Sequence, residues 1–62
     1  LGLTLAELRA ARLYAQGLTR GEIARALQVS PATIRNQLAA AYAKLGVHTK
    51  LELARALVGA GE

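Results

Sequence analysis

Sixty-two residues suffice for one small domain, and a composition dominated by alanine and leucine with few β-branched residues points to an all-α fold. Eight Lys and Arg against four acidic residues, all glutamate, leave a net charge of +4, which favours an anionic partner such as nucleic acid or an anionic membrane surface. With no cysteine and one histidine, His48, a disulfide framework, a thiolate zinc site and a multi-histidine metal site are excluded. No cofactor is expected. No apolar run reaches the ~18 residues of a membrane span, and no basic segment leads into a hydrophobic one, so a soluble, cytoplasmic protein is expected.

Thr4 and Glu7 have the Thr-x-x-Glu spacing of a capping box and open a helix over 5–15. Its inward set is either Leu8, Ala11 and Ala15 or Leu3, Ala10 and Tyr14, and Gly17 suits the left-handed residue that ends it. Thr19 and Glu22 repeat the box before a short helix over 20–27 that turns Ile23, Ala24 and Leu27 toward the core. Gly21 in its first turn costs about 1 kcal/mol against alanine, which fits either close packing or a tolerated surface position. Gln28-Val29-Ser30 reads as a turn, with Val29 plugging the angle between helices, Ser30 capping and Pro31 at the first helical position. A helix over 31–45 follows, closed by Gly46, with Lys44 in its last turn. Val47 returns to the core, Thr49 and Glu52 form a third box, and a helix over 50–58 stops at Gly59. That last helix is apolar on two faces, Leu53, Ala54 and Leu57 on one and Leu51 and Val58 nearer the other. Either both enter one core or one meets a second subunit.

A short helix, a tight turn and a longer helix make a helix-turn-helix. At about 100° per residue, Ile34, Leu38, Ala41 and Leu45 share the inward stripe of the 31–45 helix. The opposite side carries Ala32, Asn36, Ala39, Ala40 and Ala43, flanked by Arg35 on one edge and by Thr33, Gln37 and Lys44 on the other. A solvated helix would carry Lys and Glu there, so this face suits close approach to a partner. Its polar groups cluster at the N-terminal end, the part that meets base edges in the major groove of DNA. Arg35 can pair with guanine O6 and N7 and Asn36 with adenine N6 and N7, each worth about 1–3 kcal/mol of discrimination. Ser30, Thr33 and Gln37, with Thr19, Arg20, Arg25, Lys44 and Lys50 on either side, are candidates for the phosphate backbone. His48 reads as a loop histidine. No paired carboxylate, histidine beside a nucleophile, glycine-rich phosphate loop or metal-ligand cluster argues for an enzyme.

Gly17-Leu18-Thr19, Glu22-Ile23-Ala24, Leu27, Val29-Ser30, Thr33-Ile34-Arg35 and Lys44-Leu45-Gly46-Val47 resemble the C-terminal DNA-binding domain of the LuxR (GerE-type) family of bacterial transcription regulators. Thr4 and Glu7 fit that family's leading segment and Lys50-Leu51-Glu52 its closing one, so the resemblance runs from Leu3 to about Leu57. It implies a four-helix domain binding double-stranded DNA at an inverted repeat as a homodimer, with Leu51, Leu53, Ala54, Leu57 and Val58 of the last helix at the dimer contact. It also implies a base-contacting position at Ala39, RNA polymerase as a further partner, and a longer regulator, such as a response regulator, with a sensor or receiver domain ahead of this one. The start at Leu1 rather than Met fits that expectation. The chain departs from the family in having Ala6 for an arginine, Gln37 for a common histidine, Ala39 for a polar or basic residue, and Ala10 and Ala11 for bulkier core residues. The nearest alternative is region 4 of bacterial sigma factors, which shares the Glu-Ile-Ala core but lacks the fourth helix. A helical protein-interaction module using the alanine face is the alternative from a different class.

Overall fold

In the computed structural model, which describes residues 2–61, four helices follow one another: α1 (Leu5–Ala15), α2 (Arg20–Leu27), α3 (Pro31–Leu45) and α4 (Lys50–Gly61). Each start is set by a hydroxyl. Thr4 Oγ1 accepts the Glu7 N–H at 3.1 Å while Glu7 Oε1 accepts the Thr4 N–H at 3.0 Å, and Thr19 with Glu22 repeats the exchange at 3.1 and 2.8 Å. Thr49 and Glu52 do the same at α4, where Glu52 Oε1 also takes the His48 N–H at 2.7 Å. These bonds occupy donors that a helix start otherwise leaves open. Ser30 Oγ accepts the Thr33 N–H at 3.1 Å, and Pro31 supplies a first residue with no N–H to satisfy.

The ends of the first three helices are built alike. Leu18, Val29 and Val47 donate their N–H groups back five residues, to the carbonyls of Leu13, Ala24 and Tyr42. That closure needs a left-handed residue, supplied by Gly17 and Gly46 at φ 107° and 68°, but by Gln28 at φ 59° and ψ 46° after α2.

α3 packs across α1 and α2, and α4 lies mainly against α1. The core holds Ala10, Ala11, Ile23, Ala24, Ile34, Leu38, Ala41, Leu53 and Leu57, so α3 buries the stripe expected of it, with Leu45 packed at its edge. Alanines at four of these positions bring the helix backbones close and leave Ile23, Ile34 and Leu53 as the largest fully buried side chains. Each of those three contributes roughly 1.5–3 kcal/mol by leaving water.

Two expectations change and two open alternatives are decided. The two inward sets considered for α1 are not alternatives: Ala10 and Ala11 are both fully buried, with Leu3, Leu8, Tyr14 and Ala15 packed around them. Val29 does not plug the interhelical angle. Beside the left-handed turn at Gln28 its side chain is 40% exposed, whereas Leu18 and Leu27 are partly buried and pack against the core. Gly21 is exposed and a Cβ would meet nothing nearer than Thr19 Oγ1 at 4.0 Å, so close packing does not account for it. α4 continues through Gly59 to Gly61, because a glycine followed by neither proline nor a closing cap weakens a helix without ending it.

Candidate nucleic-acid interface

Burial of Ile34, Leu38 and Ala41 fixes the rotation of α3, and its opposite side follows from that. Arg35, Asn36 and Ala39 are exposed, as are Ala32 and Ala43, while Ala40 and Thr33 are half-buried. The outward surface of the helix is therefore a low alanine ridge with a guanidinium and an amide near its N-terminal end. The Ser30 and Thr33 hydroxyls lie 2.9 Å apart, and since one must donate to the other, the pair retains a single free proton for an outside acceptor. Thr19 Oγ1 already accepts the Glu22 N–H, so only its proton is available outward.

The expected backbone-contacting residues separate into three groups. Lys44 is tied down: its Nζ lies 2.7 Å from Glu7 Oε1, joining the C-terminal half of α3 to the cap of α1. The Lys44 hydrogen bond, then the Thr4 N–H, holds the Glu7 carboxyl below the usual carboxylate range against the opposing effect of burial. Lys44 thus has a structural partner, while its side chain stays 40% exposed with two N–H donors unengaged by Glu7. Gln37 is half-buried, and its Oε1 is covered and without a partner among the described residues; that oxygen only accepts, so a phosphate contact would fall to the Nε2 amide. Gln37 faces a shallow groove of about 180 Å³ lined by Ala6, Arg9, Leu27 and Val29. Arg20 and Lys50 converge: the Arg20 guanidinium carbon and Lys50 Nζ stand 5.4 and 4.5 Å from the centroid of the Tyr14 ring. Arg25 is exposed on α2.

Two residues expected at a dimer contact are buried within the domain. Leu53 and Leu57 are 0% and 7% exposed and belong to the core, since the face of α4 that carries them packs against α1. Leu51 and Val58, 61% and 64% exposed, lie seven residues apart on the other face, with half-buried Ala54 between them. Sequence reasoning also missed that Tyr14 and Tyr42 line one cleft with Arg20, Arg35, Leu38 and Ala39. The only local hint was that these are the chain's sole aromatic residues. Among the described residues no group of His, Cys, Asp or Glu could hold a metal, and no helix is long and apolar enough to cross a membrane.

The family described as bacterial regulatory proteins, luxR family, matches residues 2–57, a span that includes most of α4. A protein of Mycobacterium tuberculosis (strain ATCC 25618 / H37Rv), described as a candidate HTH-type transcriptional regulator, is 41% identical over 51 residues. A counterpart in Mycobacterium bovis matches to the same degree, and in both the alignment covers 82% of this chain but 6% of the relative. The chain therefore spans a small fraction of the length of these relatives. The crystal structure of the response regulator ChrA from a heme-sensing two-component system superposes with a TM-score of 0.87 at 28% identity, over 98% of this chain and 30% of that one.

Proposed function

Because this chain belongs to the luxR family of bacterial regulatory proteins, whose helix-turn-helix is a DNA-binding module, we propose that it docks α3 in the major groove of double-stranded DNA and reads a specific sequence there. The observation that carries the reading is the outward face of α3, where Arg35 and Asn36 stand beside an alanine ridge low enough for a helix to enter a groove. In this reading Arg35 and Asn36 pair with bases, and Ala39 offers only apolar contact, which a thymine methyl can accept. Arg20, Lys50 and the free hydroxyl protons of Thr19 and the Ser30–Thr33 pair hold the backbone. Lys44, committed to Glu7, is left out of that set.

Two base-reading side chains carry little sequence information, so a second copy is needed for a selective site. We propose that Leu51, Ala54 and Val58 form the contact between two copies on an inverted repeat, and that the domain serves a longer cytoplasmic regulator acting on RNA polymerase. Support for the regulator comes from the descriptions of the relatives. Support for the dimer is the exposed apolar face of α4.

The test is equilibrium binding to duplexes selected from a random pool, measured from 50 to 200 mM salt. The expected result is an enriched sequence with two-fold symmetry and affinity that falls steeply with salt. Binding that enriches no sequence, or that ignores salt, would contradict the proposal.

A further inference from the structure

The chain's two aromatic residues, Tyr14 on α1 and Tyr42 on α3, are far apart in sequence yet line the same cleft of about 190 Å³. The rest of the lining is Arg20, Arg35, Leu38 and Ala39, with no carboxylate among them. Lys50 does not line the cleft, but its Nζ stands 4.5 Å from the centroid of the Tyr14 ring that does. Among the described residues the one ion pair joins Lys44 to Glu7, so Arg20, Arg35 and Lys50 stand together without a counter-charge. Among the described residues neither phenol is hydrogen-bonded to another side chain, and burial raises the Tyr42 hydroxyl above its ordinary pKa. Cations and hydroxyl donors gathered at one concavity, with no acidic group to neutralise them, match the chemistry of an oxyanion.

We propose that this cleft seats one phosphate of the DNA strand, and that Tyr14 is the positioning residue that holds Arg20 and Lys50 toward it through its ring. The inference rests on the DNA-binding reading and assigns it a particular backbone contact. The cleft shares Arg35 and Ala39 with the base-reading face, so a phosphate seated here lies beside the bases that α3 reads. Two mobile cations would otherwise be ordered only on binding. A ring that holds them in advance lowers that cost.

The experiment is a double-mutant cycle on DNA binding across salt, using Lys50→Gln in the background of Tyr14, Tyr14→Phe and Tyr14→Leu, on the selected duplex and an unrelated one. Lys50→Gln should weaken binding equally on both duplexes and lower the salt slope by about 1, which narrows the loss between 50 and 200 mM by about fourfold. Tyr14→Phe keeps the ring and should preserve that effect, whereas in Tyr14→Leu the same change should cost much less. Tyr42→Phe, which removes one donor and leaves the packing intact, should also weaken both duplexes equally. Additive effects of Tyr14→Leu and Lys50→Gln, together with no loss in Tyr42→Phe, would overturn the proposal even where Arg35→Ala still relaxes base preference, so the DNA-binding reading would survive. If the unaltered protein binds no duplex, that reading fails, and titration with inorganic phosphate decides the cleft. Saturable shifts of the Tyr14 and Tyr42 ring resonances would support an oxyanion seat filled from another source, and unmoved resonances would overturn it.

Discussion

Glu7 does two jobs with one carboxylate: it closes the cap of α1 and, through Lys44, ties α1 to α3. The cap was legible from the spacing of Thr4 and Glu7. The ion pair was not, because its partners lie 37 positions apart and nothing local reports a contact at that separation. Both Glu7 and Glu52 have pKa values lowered from the ordinary 4.5, the first by Lys44 and the second by the His48 and Thr49 N–H groups. A lowered folded-state pKa gives stability that is complete above the unfolded value and is lost as pH falls through the folded one. Thermal stability should therefore fall as pH drops below 4.5, and Glu7→Gln, which keeps an acceptor for the cap, should flatten part of that dependence. Parallel pH curves for the two proteins would contradict the assignment. Gln28 gives a second prediction. A non-glycine side chain at φ 59° is strained, so Gln28→Gly should raise stability by about 0.5–1 kcal/mol in denaturant unfolding. The turn itself was readable from Ser30-Pro31, but its left-handed residue was not, since glutamine carries no signal for that conformation.

Among the elements, α3 was legible in span and rotation because its apolar residues recur at helical period and its ends carry strong signals, Ser30-Pro31 and Gly46. α4 was legible in part. Its two apolar faces could be seen, but which of them the core would claim depends on where α1 lies, and that is tertiary information. The structure answers it: Leu53 and Leu57 point inward, Leu51 and Val58 outward. Leu51→Glu and Val58→Glu should thus change the stability of the folded chain by no more than about 0.5 kcal/mol, whereas Leu53→Ala should cost about 2–5 kcal/mol. The same two glutamates should prevent a second copy from joining the first on an inverted-repeat duplex, read by sedimentation. A full two-copy complex in the double variant would remove α4 from the interface.

At the scale of the whole molecule, the placement of the three described glutamates leaves most of the positive charge unpaired among the described residues. Glu7, Glu22 and Glu52 are each engaged at the start of a helix, and only Glu7 pairs with a cation among the described residues. The other basic side chains have no ion-pair partner among the described residues, in keeping with the net charge of +4. Composition could not show their placement. Arg20 and Lys50 gather at Tyr14 because the starts of α2 and α4 both come to the end of α1, an arrangement only the packed helices reveal. The core is thin for the same compositional reason, with alanine at four of its nine buried positions, so close backbone approach rather than side-chain bulk holds the helices in register.

The proposed reading of bases by Arg35 and Asn36 of α3 is tested by binding-site selection with Arg35→Ala beside the unaltered protein. Arg35→Ala is expected to lose preference at one position of each half-site, by about 1–3 kcal/mol, and to keep the preferences elsewhere. An unchanged base profile would show that Arg35 does not read DNA and would contradict the assignment of α3 to the groove.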